Sequence, residues 1–173
     1  NNSNPVTPSV NMKNRIINGN MTIDQRNAGA SVNITTNANY TLDRWQATYA
    51  QISKFTVQQN AGSVTPPVGF SSYAGMTSLS AYSLGSTDYF TFEQALEGFN
   101  VADLSWGTAN AKTVTLSFWV RSSLTGTFGG ALYAATGTLC YPFSYSISSA
   151  NTWEQKSVTI TGPTTGTFAT NNT

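Results

Sequence analysis

General acid–base chemistry in this chain has only seven carboxylates to draw on: Asp24, Asp43, Asp88, Glu93, Glu97, Asp103 and Glu154. The sequence holds no histidine and one cysteine. Ser-His-Asp and Cys-His arrangements are therefore excluded, as are histidine metal sites. A single thiol makes neither an internal disulfide nor a zinc site, and Cys140 is expected to be a small apolar core residue. Glu93 and Glu97 are the closest acids in sequence. On one strand they share a face but lie roughly 13 Å apart, at about 3.3 Å per residue. Paired carboxylates that cleave glycosidic bonds sit about 5–5.5 Å or 6.5–9.5 Å apart, so only acids from different strands remain as a route to such a pair. No Gly-x-x-x-x-Gly-Lys loop and no Gly-x-Gly-x-x-Gly turn supports a nucleotide. The expectation is a protein with no catalytic residues, no metal and no cofactor.

What remains is binding through rings and neutral polar groups. Tyr73, Tyr82, Tyr89, Trp106, Tyr133, Tyr141 and Trp153 lie in or beside turn-rich sequence. Planar rings near loops stack on sugar faces, while Asn, Gln, Ser and Thr supply hydrogen bonds. For any single position, plugging the end of a sandwich is the more ordinary role. As a group they nominate Trp106, Tyr133, Tyr141 and Trp153 as ligand-binding residues. A second candidate is Asp43-Arg44-Trp45, as a sugar-binding patch or as a buried Trp at a strand start with Asp43 and Arg44 pairing nearby. The structural reading is favoured there.

The elements that must position these residues are strands. Within 113–121, Val114, Leu116, Phe118 and Val120 alternate with Thr115, Ser117, Trp119 and Arg121, the period of a half-buried strand. Phe143, Tyr145 and Ile147 alternate with serines, and Val158 and Ile160 with threonines, up to Gly162-Pro163. Weaker strand signals cover 52–58, 76–82, 88–96 and 130–135, and 101–104 is the one helical turn. Gly, Pro, Ser and Asn punctuate the intervals, and about eight strands follow one another without helices. The fold predicted is an all-β antiparallel sandwich. Residues 1–12, with two prolines and little to bury, are expected to form an extended arm, and 13–173 the sandwich module.

With 173 residues the chain suits one domain. Nine Phe, eight Tyr and four Trp supply enough buried area to exclude disorder. Only 9% of residues are charged, and eight basic against seven acidic groups leave a net charge of +1. The bases are dispersed, so the electrostatic footprint of a nucleic-acid binder is missing. No apolar run reaches the roughly 20 residues that span a bilayer as a helix. The opening Asn and the abrupt end suggest a segment of a longer polypeptide.

Residues 14–26 (NRIINGNMTIDQR) and 40–45 (YTLDRW), followed by 94–98 (QALEG), 106–112 (WGTANAK), 115–121 (TLSFWVR), 153–162 (WEQKSVTITG) and 166–168 (GTF), resemble in that order the jelly-roll module of bacteriophage tail-fibre and virion proteins. The likeness runs from about residue 14 to the end. It implies a jelly roll similar to carbohydrate-binding modules, and strands beyond the last block that this chain lacks. It further implies a non-enzymatic virion structural protein, located on the tail or capsid surface. Its partners would be other virion proteins, further copies of itself (commonly three in phage fibres) and host surface glycans. A tail-fibre or receptor-binding module is the first expectation. A capsid decoration protein attached through its amino-terminal arm is the second, and a carbohydrate-active enzyme a distant third.

Overall fold

The computed structural model describes residues 13–134 and 139–171; the arm expected at 1–12 lies outside them. Strands make up 37% of it and helix 6%. In chain order the strands are β1 (Val32–Asn33), β2 (Asn39–Leu42), β3 (Trp45–Tyr49), β4 (Phe55–Gln59), β5 (Ala74–Ser78), β6 (Phe90–Glu93), β7 (Val114–Val120), β8 (Gly126–Ala134), β9 (Leu139–Ile147) and β10 (Glu154–Ile160). Among the described residues there is one short helix, α1 (Gly98–Val101), which continues into a 3-10 turn at Ala102–Leu104. Every pairing is antiparallel. The all-β antiparallel sandwich class is thus the observed one.

The first half is two three-stranded sheets, in the orders β1-β4-β5 and β2-β3-β6. Ile34, Leu42, Ala47 and Val57 are wholly buried between them, with Trp45, Phe55 and Phe92 packed around that cluster. The second half pairs β7 with β10 and β8 with β9. The period-two pattern of 113–121 lands as read: Val114, Leu116, Phe118 and Val120 turn inward in part, and Ile160 is completely covered. Phe118 fills the space between the two pairs, edge-on to Tyr145 at 5.0 Å and tilted against Phe143 at 6.5 Å.

Several boundaries differ from the sequence reading. The strand expected at 76–82 begins earlier, at Ala74, and ends at Ser78, because the chain then turns out into an exposed loop, 79–87. The strand expected at 88–96 stops at Glu93, and the one expected at 130–135 begins four residues sooner, at Gly126. Strands β1 and β2 lie in Asn- and Thr-rich sequence that shows no alternation. Cys140 is a correction: it is exposed, not in the core. It stands directly opposite Tyr133 in the β8–β9 ladder, on the face turned away from Phe118. That face is lined by small and polar residues, Thr127, Gly129, Ala131 and Ser144, and offers a thiol nothing to bury against.

The stretch before β7 is tied to the segment that follows β10. Gly107 takes φ +86°, and its N–H donates to the carbonyl of Pro163 at 2.8 Å. A Cβ on Gly162 would meet the carbonyl oxygen of Lys112 at 2.5 Å. Only glycine permits that approach. The blocks 106–112 and 162–168 are therefore held backbone to backbone.

Candidate functional site

Residues 14–26 explain themselves once folded: they are a brace for the β2–β3 hairpin. Asn18 adopts φ 52°, a left-handed conformation that Asn tolerates better than most residues. Its amide donates to the carbonyls of Ile23 and Asp43, both at 2.9 Å, while its Oδ1 accepts the Ile23 N–H at 3.0 Å. Trp45 donates its indole N–H to the Asn18 carbonyl at 3.2 Å and stacks on Phe92 at 5.0 Å. Asp43 accepts the Gln25 N–H at 2.6 Å. These contacts fit the structural reading of Asp43-Arg44-Trp45: Trp45 is partly buried, with one ring face packed on Phe92 against the core.

Each of the seven carboxylates has a comparable task. Asp24 accepts the N–H groups of Asn27 and Gly29, closing the 24–29 turn. Asp88 accepts the Gly85 N–H at 2.7 Å. Glu93 binds Gln46 and Thr91. Glu97 precedes α1, where it pairs with Arg44 at 2.7 Å and with Asn100. Its own backbone N–H and the Arg44 guanidinium hold its carboxyl below the usual range. Since β6 ends at Glu93, Glu93 and Glu97 do not share a strand face. Asp103 receives both guanidinium arms of Arg15 at 2.8 Å, which bring its pKa down to about 2. Glu154 accepts from Lys156 and from the N–H groups of Ser148 and Ser149, and these bonds lower its pKa as well.

The four nominated rings do not form one surface. Trp106 gives its indole N–H to the Lys112 carbonyl at 2.8 Å and meets Phe168 edge-on at 5.7 Å. The two rings line a hollow of about 380 Å³ that also exposes Ser105, Thr108, Asn110 and Thr170. Trp153 donates to the Thr65 carbonyl at 2.8 Å and packs edge-on against Tyr73 at 5.5 Å, so it anchors the loop before β5. Tyr73 is buried, with its hydroxyl spanning the Ala61 carbonyl and the Val64 N–H. Tyr133 and Tyr141 are 64% and 43% exposed, but they face opposite sides of the β8–β9 hairpin, since Tyr133 is opposite Cys140 and Tyr141 opposite Leu132.

A groove that the sequence reading did not assemble lies between the two sheets of the first half. Strands β5 and β6 are the edge strands of those sheets, and the sandwich opens between them. The groove measures about 460 Å³ and is lined by Phe55, Phe90 and Phe92, by Met76, and by Lys54 and Tyr82 at its mouth. Phe90 is edge-on to both Phe55 at 6.0 Å and Tyr82 at 5.8 Å. The Lys54 ammonium lies 5.4 Å from the Tyr82 ring centre and donates to Ser80 Oγ and the Ala81 carbonyl. Asp88 holds the loop from outside the groove, and its hydrogen bond raises the pKa of the Tyr82 hydroxyl.

Compared with protein families, characterised proteins and solved structures, the chain matches none of them.

Proposed function

We propose that this protein is a non-enzymatic structural module of a bacteriophage virion, a tail-fibre or receptor-binding element that meets host surface glycans with exposed rings and neutral polar groups. The observation that carries the non-enzymatic part is the engagement of all seven carboxylates in holding turns, strands and α1. A general acid needs a raised carboxyl pKa near the working pH. The shifts of Glu97, Asp103 and Glu154 run the other way. The virion assignment rests on the ordered resemblance of residues 14–168 to phage jelly-roll modules. Residues 14–26 and 40–45, which open that resemblance, are spent on bracing a hairpin, as a scaffold motif is.

The second reading, a capsid-bound decoration or fibre protein, draws on a separate observation. Large apolar side chains are exposed on four different segments of the chain, among them Val68, Leu84, Leu124 and Tyr133. Neighbouring virion proteins or further copies of the chain would cover them. Two measurements separate the readings. A density map of the intact particle locates the protein on tail or capsid, and an array of host glycans reports binding by the purified chain. Tail location with glycan binding is the expected result. Capsid location with a silent array would replace it with the decoration reading, and turnover of a host polysaccharide would overturn both.

A further inference from the structure

We infer that the groove between β5 and β6 takes one anionic sugar unit, its charge on Lys54 and its ring against Phe90 and Tyr82. This rests on the glycan-facing reading above. The bonding of Lys54 is the first ground. An ammonium has three donors; two go to neutral acceptors, Ser80 Oγ at 3.1 Å and the Ala81 carbonyl at 3.2 Å. The acids that pair with bases are taken elsewhere: Asp103 by Lys13 and Arg15, Glu97 by Arg44 and Glu154 by Lys156. Lys54 makes no ion pair among the described residues. Asp88 reaches the Tyr82 hydroxyl but makes no ion pair with Lys54, so the ammonium is held at the groove mouth by neutral groups alone.

The second ground is the shape and lining of the groove. Its volume falls in the lower part of the range for small-ligand sites, about 300–1,000 Å³. Edge-to-face packing fixes Phe55, Phe90 and Tyr82 relative to one another, so the rings are in place before a ligand arrives. Ser78 and Ser80 bring neutral hydroxyl groups to the same lining. A sugar with a carboxylate or phosphate matches that combination of apolar ring, hydroxyls and one cation. A fatty acid would leave the hydroxyls unused, and a neutral sugar would leave Lys54 unused.

The test is saturation-transfer NMR on the folded chain, with N-acetylneuraminic acid and glucuronic acid as carboxylate probes, glucose 6-phosphate as the phosphate probe and lactose as the neutral control. The expected result is binding of at least one anionic probe roughly three- to tenfold tighter than lactose, as one partly exposed charge-assisted contact supplies. The anionic probe that binds identifies the source of the charge. Lys54→Gln should remove the preference while leaving the melting transition cooperative. Ser78→Trp, which fills the groove from an exposed strand position, should abolish binding of every probe. Anionic probes no better than lactose, or a preference that survives either variant, overturn the inference. A host-glycan array that stays positive in both variants overturns this site alone. Silence of the array and of every probe removes the glycan reading with it.

Discussion

Asn18 and Asp103 each support more of the structure than their exposure suggests. The Asn18 side chain makes three hydrogen bonds from a left-handed backbone. Asn18→Ala loses the bonds and strains the φ, and should cost about 2–3 kcal/mol. Asn18→Gly keeps the backbone relaxed and should recover part of that loss. Equal destabilisation of the two variants in urea unfolding would mean that backbone strain contributes nothing. Asp103 predicts a pH dependence. Its folded pKa of about 2 lies below its ordinary 3.8. The stability it contributes is therefore complete above about pH 4 and lost as pH falls toward 2. Glu97 and Glu154 are depressed too and act with the same sign. Acid unfolding followed by circular dichroism should show this decline, and Arg15→Met should flatten it between pH 4 and 2. An unchanged profile in that variant would count against the Arg15–Asp103 pair as a cause.

Among the elements, Phe118 is the side chain on which the second half closes. It contacts Phe143 and Tyr145 from the facing strand pair, and it is only partly covered. Phe118→Ala should therefore cost near the lower end for a buried aromatic, about 3 kcal/mol by thermal or urea unfolding. Trp119, its outward neighbour, should tolerate Thr with a change within about 0.5 kcal/mol. Strands such as β7 and β10 were legible because one face packs and the other does not, which imprints a period of two on the sequence. Strands β1 to β3 were not legible in this way, β1 and β2 least. They are two to five residues long and are braced by the non-periodic segment 14–26, whose action through Asn18 and Gln25 leaves no local pattern. The groove escaped for a related reason: Lys54, Tyr82 and Phe90 meet only after two sheets have formed. Two traces of it are present in the sequence, the Phe90-Thr91-Phe92 alternation and the absence of any charge between Lys54 and Asp88.

For the whole molecule the imbalance between core and surface decides what to expect in solution. Among the described residues eight hydrophobic side chains are buried, while sixteen large ones are exposed. Single exposed apolar residues are ordinary. Here several cluster: Met76, Leu79, Tyr82, Leu84 and Tyr89 lie on β5 and the stretch between it and β6, and because Met76, Tyr82 and Leu84 also line the groove, a neighbour seated here and a sugar unit in the groove would compete. Strand β5 is also an edge strand without a charged or proline residue in it, and such edges invite pairing unless something blocks them. Few charges oppose association, because only 9% of the sequence is charged and the net charge is +1. The chain is therefore expected to self-associate or to bind a virion neighbour. Sedimentation velocity over a hundredfold concentration range should give a mass above that of one chain, with weak dependence on salt, since apolar contacts are not screened. Leu84→Asp, at a 69% exposed position of the cluster, should shift the distribution toward monomer without lowering the melting temperature. A monomer at every concentration, together with a particle map showing no neighbour at β5, would leave the cluster without a structural partner and would contradict the assembly reading directly.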